Sequence, residues 1–116
     1  MMAHQITHAK VIQRKSRGHL VRQIGPHRFK VRSKESGRIY DVILGSTGGT
    51  CTCPWGRYRS ARDHRSGCSH VIAAINYRAR RRGRQISVWG SERAARRQHR
   101  PMFSIGDGLI ITSRMN

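Results

Sequence analysis

Residues 40–53 read Tyr-Asp-Val-Ile-Leu-Gly-Ser-Thr-Gly-Gly-Thr-Cys-Thr-Cys, and residues 68–77 read Cys-Ser-His-Val-Ile-Ala-Ala-Ile-Asn-Tyr. Cys51, Cys53 and Cys68 are the only three cysteines of the chain. With His70 they form two close pairs of ligands, Cys-x-Cys and Cys-x-His, divided by the stretch 54–67. Thiolate sulfur and imidazole nitrogen are the donors that zinc prefers, and four of them close a tetrahedral structural site. Each short pair grips two corners of the tetrahedron, and the intervening loop brings the second pair round. A Cys-x-Cys at the end of a strand turns both sulfurs toward one ion, and a histidine in the first turn of a helix presents its ring to it. One structural zinc ion is therefore expected, holding a strand to a helix. His64 precedes Cys68 by four residues and competes with His70 for the fourth corner; His70 is preferred. Cys-x-x-Cys spacing, which redox dithiols use, is absent.

Working outward, apolar runs flank the ligands. Tyr40, Val42 and Leu44 alternate with Ile39 and Ile43, so Arg38–Leu44 is expected to be a central strand with apolar residues on both faces. Gly45 to Gly49 supply a flexible turn, and Thr50–Cys53 returns as a short strand. From His70, the positions Ile72, Ile75 and Ala79, flanked by Val71, carry a helical period, which Gly83 ends. Upstream, residues 2–17 have a weak helical period through Ile6, Ala9 and Ile12, with Gly18 as the stop. Strands are predicted at His19–Ile24 and His27–Ser33, joined by Gly25-Pro26. Downstream, Gln85–Trp89 reads as a strand and Ser91 as the N-cap of a short helix to about His99. Met102–Ile105 and Leu109–Thr112 read as a terminal hairpin. The organisation expected is a basic helical extension (1–18), strands with the metal site (19–84), and a strand–helix–hairpin extension (85–116).

The order strand, glycine turn, CxC, loop, CxH, helix resembles the SWIM zinc finger. The resemblance rests on Cys51, Cys53, Cys68 and His70, on the run YDVIL, on Pro54 and on the helix VIAAI, and spans about Arg38 to Tyr77. It implies a small α+β fold: a zinc-stabilised ββα finger with extra N-terminal strands and helix and a C-terminal helix plus hairpin. The family occurs in bacterial Snf2-type ATPases, Mutator-type transposases and recombination mediators, and it is associated with DNA binding and protein interaction.

Charge points to the same class of partner. Twenty-four Lys and Arg face five acids across 116 residues, a formal net charge of +19. Three thiolates and one zinc ion would change that to +18. Such a surface repels itself unless it meets a polyanion. Arginine outnumbers lysine twenty to four, and its planar fork of donors suits phosphate. Arg28, Lys30, Arg32 and Lys34 share one strand face as a phosphate-tracking row or, equally, as a solvated edge protected from unwanted pairing. Arg57, Arg59, Arg62 and Arg65 lie between the ligand pairs with Trp55 and Tyr58. Those rings could stack on bases, although a Trp just after a ligand pair also suits a cover over the metal. Arg78, Arg80, Arg81, Arg82 and Arg84 crowd the end of the helix, where cations also complement the helix dipole.

The function expected is a non-enzymatic zinc-finger protein that binds nucleic acid, DNA before RNA, through phosphate contacts. An RNA-binding or ribosome-associated basic protein is the alternative, followed by an adaptor whose 91–99 helix or terminal hairpin docks on a nucleic-acid enzyme. Five scattered acids offer no paired-carboxylate site and argue against an enzyme, and no small-molecule substrate is indicated. The chain has no apolar run near the ~20 residues of a membrane span and no signal-peptide core at its start. A cytoplasmic location is expected.

Overall fold

A computed structural model describes residues 2–46, 48–54, 67–98, 101–106 and 108–115. The chain opens with helix α1 (Met2–Arg17), followed by strands β1 (Leu20–Gln23), β2 (Arg28–Arg32), β3 (Ile39–Leu44) and β4 (Gly49–Cys51). Helix α2 (Ser69–Arg81) precedes β5 (Arg84–Trp89), the short helix α3 (Glu92–Arg96), and strands β6 (Met102–Gly106) and β7 (Leu109–Met115). This is a small α+β fold.

Strands β1 to β4 form an antiparallel meander in sequence order. Period-two alternation decides which side is buried. Along β2, Phe29 and Val31 point inward while Arg28, Lys30 and Arg32 point out. The register sets Val42 opposite Phe29 and Tyr40 opposite Val31, so the inner face continues across β3. Helix α2 packs over that inner face with Val71, Ile72, Ala73, Ala74 and Ile75 buried. Burial thus covers more of its first half than one helical stripe, because α1 and β5 close on its other flank.

The second sheet has the order β5-β7-β6, with β7 in the centre. The hairpin foreseen at the C-terminus exists, but its second strand runs on to Met115 and pairs with β5 from Arg84↔Met115 to Trp89↔Ile110. One continuous core joins Ala9 of α1, the inner face of the first sheet, the three cysteines, α2, and Ile86, Val88, Ile105, Leu109 and Ile111 of the second sheet. Segments 1–18, 19–84 and 85–116 all contribute to it.

Two polar contacts tie the layers. The buried Gln13 side chain accepts from the Val88 N–H (3.1 Å), satisfying a donor on the free edge of β5. Arg78 donates to Gly45 O (3.0 Å), fastening α2 to the β3–β4 turn. That turn is tightly fitted: a Cβ on Gly49 would lie 2.4 Å from Ile43 O, and one on Gly48 3.3 Å from Ile105 O.

Three expectations need amendment. Strand β3 lies inside its sheet, yet Ile39 and Ile43 remain 56% and 47% exposed. Among the described residues a helix covers only one side, and the second apolar face of β3 has no layer over it. Lys34 does not extend the β2 row, since the strand ends at Arg32 and Lys34 sits in the following turn. The helix after Ser91 stops at Arg96 instead of about His99; its N-cap does form, with Ser91 Oγ accepting from the Ala94 N–H.

Candidate metal centre and basic surfaces

Strand β4 ends on Cys51, and Cys53 follows two residues later. Cys68 is the N-cap residue of α2, in extended conformation (φ −70°, ψ 162°), and its side chain makes no capping hydrogen bond. Its sulfur belongs to the cluster, while its carbonyl starts the helix by accepting from the Ile72 N–H (3.1 Å). His70 lies in the first turn. The ligand atoms of Cys51, Cys53, Cys68 and His70 all fall within 4.8 Å of one another. The three cysteines are buried and unoxidised.

Two observations test whether this set suits zinc. Both ring nitrogens of His70 are buried without a hydrogen-bond partner, an arrangement that costs stability unless one of them ligates. The Cys51 thiol is pushed up, first by side-chain hydrogen bonds with Cys53 and Cys68 and then by burial. Anionic sulfurs at such spacing need a cation among them. The Cys53 N–H donates to Cys51 Sγ (3.4 Å), as suits a sulfur carrying negative charge. Three sulfurs and one imidazole nitrogen form the closed donor set of a structural zinc ion, so the residues fit one zinc.

The surroundings hold the imidazole in place. His19 stacks on His70 with ring centroids 4.6 Å apart and planes 25° apart, and Tyr40 lies at 4.7 Å with a 49° tilt. His19 is fixed in turn. The Lys34 N–H donates to its Nδ1 (3.0 Å), so Nε2 carries the proton and donates to Ser69 Oγ (2.8 Å). Burial, then the neighbouring His70, holds the His19 pKa below its ordinary value, in keeping with a neutral ring. No local pattern in the sequence singles out His19 or Tyr40 as supports of the site, since His19 lies 50 residues from its Ser69 partner.

The cations divide between two surfaces. Arg28, Lys30 and Arg32 occupy the outer face of the first sheet, on the side away from α2. Lys30 is ion-paired with Asp41 across the strands. Arg80, Arg81 and Arg82 are exposed at the far end of α2, and Arg80 is ten residues beyond His70, or ~15 Å along the helix. There they meet α1: Ser16, Arg17, Asn76 and Arg80 line two adjoining grooves, one of which Arg81 also borders. Arg17 was not among the sequence candidates, because only the packing of α1 on α2 brings it to this place. Arg78 is half-buried and bonded to Gly45 O; its pKa is lowered by burial and then by Arg82. Arg84 directs its donors to Ser113 Oγ (2.6 Å), Ser113 O (3.2 Å) and Met115 Sδ (2.8 Å), which joins β5 to β7. Trp55, Arg57, Tyr58, Arg59, Arg62, His64 and Arg65 lie outside the described residues.

Neither the curated proteins nor the solved structures contain a significant match to the chain. Residues 40–79 match the family model of the SWIM zinc finger. The matched stretch holds β3, β4 and most of α2, and all four ligands. The chain therefore carries a SWIM zinc finger, whose CxC…CxH pattern falls on the Cys51, Cys53, Cys68 and His70 cluster that could hold one zinc ion.

Proposed function

We propose that this protein is a non-enzymatic nucleic-acid-binding zinc finger that grips the phosphate backbone, with duplex DNA preferred over RNA. The observation that carries the reading is the meeting of Arg17, Arg80 and Arg81 around the grooves between α1 and α2, on a chain of net charge +19. Part of that positive charge offsets the two helix dipoles that end there. The guanidinium groups remain exposed, and their forks match phosphate oxygens. Asn76 lines both grooves and Gln85 one of them, and they give the site neutral donors and acceptors besides its charge.

Zinc has a structural part in this reading. It holds β3, β4 and α2 together as a ββα unit and so fixes the helix on which the arginines stand. Among the described residues the acids are single and matched with a cation: Glu35 with Lys15, Asp41 with Lys30, Glu92 with Arg96. Among the described residues no pair of carboxylates is free for acid–base work, which favours binding over catalysis. A cytoplasmic site of action fits a partner of this kind.

Arg17, Arg80, Arg81 and Arg82, with the four arginines between the ligand pairs, would make roughly six to eight phosphate contacts. The expected dependence of log K on log salt on duplex DNA then has a slope of about −5 to −7. Arg80→Ala with Arg81→Ala should make that slope shallower by about 2. A nearly flat salt dependence would refute the phosphate account. Tighter binding to structured RNA than to duplex DNA at equal salt would refute the DNA preference.

A further inference from the structure

The outer face of the four-stranded sheet sets exposed apolar side chains among its cations. An antiparallel sheet with one wet side normally places polar residues outward. Here the outward positions carry Leu20 (66% exposed), Ile24 (50%), Ile39 (56%) and Ile43 (47%). They account for four of the six large exposed apolar residues among those described, the others being Met102 and Met115. Cross-strand register arranges them in order. Leu20, Arg32 and Ile39 form one row, Arg22, Lys30 and Asp41 the next, and Arg28 stands opposite Ile43 with Ile24 beside it. Two rows that place aliphatics around an arginine thus bracket a charged row.

We infer that this face docks an acidic amphipathic helix of a partner protein. The two aliphatic rows are about 13 Å apart along the strands, and β1 and β3 about 10 Å apart across them. A helix is about 10 Å wide, and residues seven or eight apart on one of its faces are separated by a rise of about 10–12 Å, so one apolar stripe reaches both rows. Acidic residues between and beside those anchors meet Arg22, Arg28 and Arg32, which make no ion pair among the described residues. Lys30 already has Asp41. The arginine stems extend the apolar floor while their heads stay at the surface.

The other occupants fit less well. A second copy would bring +19 against +19. A nucleic acid has no use for four aliphatic side chains, and a single-strand platform would offer aromatic rings, which the outward positions of β1, β2 and β3 lack. The inference goes beyond the nucleic-acid reading and does not depend on it.

The test uses the full zinc-loaded chain and two fluorescent 20-residue peptides of one composition. One has Leu and Glu patterned as an amphipathic helix, and the other has them scrambled. The patterned peptide should bind at least tenfold tighter at 150 mM salt. Ile39→Thr with Ile43→Thr, both exposed strand positions, should remove that preference while leaving duplex DNA binding within twofold. Ile24→Thr provides an independent site just beyond the end of β1. In the unaltered chain, the patterned peptide should shift backbone NMR signals of β1, β2 and β3 and leave those of Arg80 to Arg82 in place. Equal binding of the two peptides, shifts confined to the α1–α2 grooves, or threonine variants that lose DNA instead of peptide would each overturn the inference.

Discussion

Removing zinc should abolish the fold's cooperative stability, and the size of the effect follows from the site. Structural zinc bound by Cys and His is worth about 10–16 kcal/mol at neutral pH. A chain of 116 residues, at ~0.05–0.15 kcal/mol per residue, has about 6–17 kcal/mol of stability in all. The two quantities are of one size, so the metal cannot be a small correction. Without it the core retains three thiols packed against one another and a histidine ring with neither nitrogen bonded, an unmet polar group of a kind that costs ~1–3 kcal/mol. The junction most exposed to this loss is the one between β4 and α2, which carry the ligand pairs. The assay is thermal unfolding followed by circular dichroism, with metal counted per chain before and after chelation. One zinc per chain and loss of the cooperative transition on chelation are expected. A metal-free chain that melts within about 5 °C of the loaded one would mean a contribution near 1 kcal/mol and would defeat this account of the cluster.

Acid should release the metal. The Cys51 thiol is held above its ordinary value, so near neutrality it keeps its proton until zinc displaces it. Protons then compete with zinc: affinity is greatest at high pH and falls by a factor of about ten per unit for each proton displaced. A drop from pH 8 to pH 6 should weaken zinc at least a hundredfold in a competition titration with a chromophoric chelator, and a pH-independent affinity would contradict the thiol ligand set. Gly49→Ala puts a Cβ 2.4 Å from Ile43 O and should cost about 1–3 kcal/mol of urea stability, with weaker zinc binding because β4 carries Cys51. His19→Phe keeps a ring against His70 but loses the contacts to Lys34 N–H and Ser69 Oγ. It should lower stability by ~2 kcal/mol without changing the metal stoichiometry.

The metal cluster was legible because its chemistry is local: two ligand pairs, each within three residues, need only one loop to meet. The alternation of β2 was legible for a similar reason, since period two is a property of five consecutive residues, and Phe29 and Val31 do point inward. Long-range choices were not. The sequence around Leu109–Thr112 announces a strand, but its central place depends on pairing with Arg84–Trp89, some 25 residues away. His19 reaches His70 only after β1 is laid beside α2, and Arg17 meets Arg80 only through helix packing. Ile39 and Ile43 look like core residues in sequence because nothing local says that the sheet has a helix on one side only.

That one-sidedness also separates the cations, and the separation can be read from the salt dependence itself. Arg28, Lys30 and Arg32 face away from the layer that holds Arg80 to Arg82, so a straight duplex lying in the α1–α2 grooves leaves the sheet's outer row untouched. Had all these cations gripped one duplex, three further contacts would steepen the salt slope by about 2.7, to roughly −8 to −10. A slope near −6 that stays unchanged in Arg28→Ala with Arg32→Ala would place the outer row outside the nucleic-acid footprint. A slope that loses about 2 in that variant would instead put the sheet's outer face against DNA and return its arginines to phosphate.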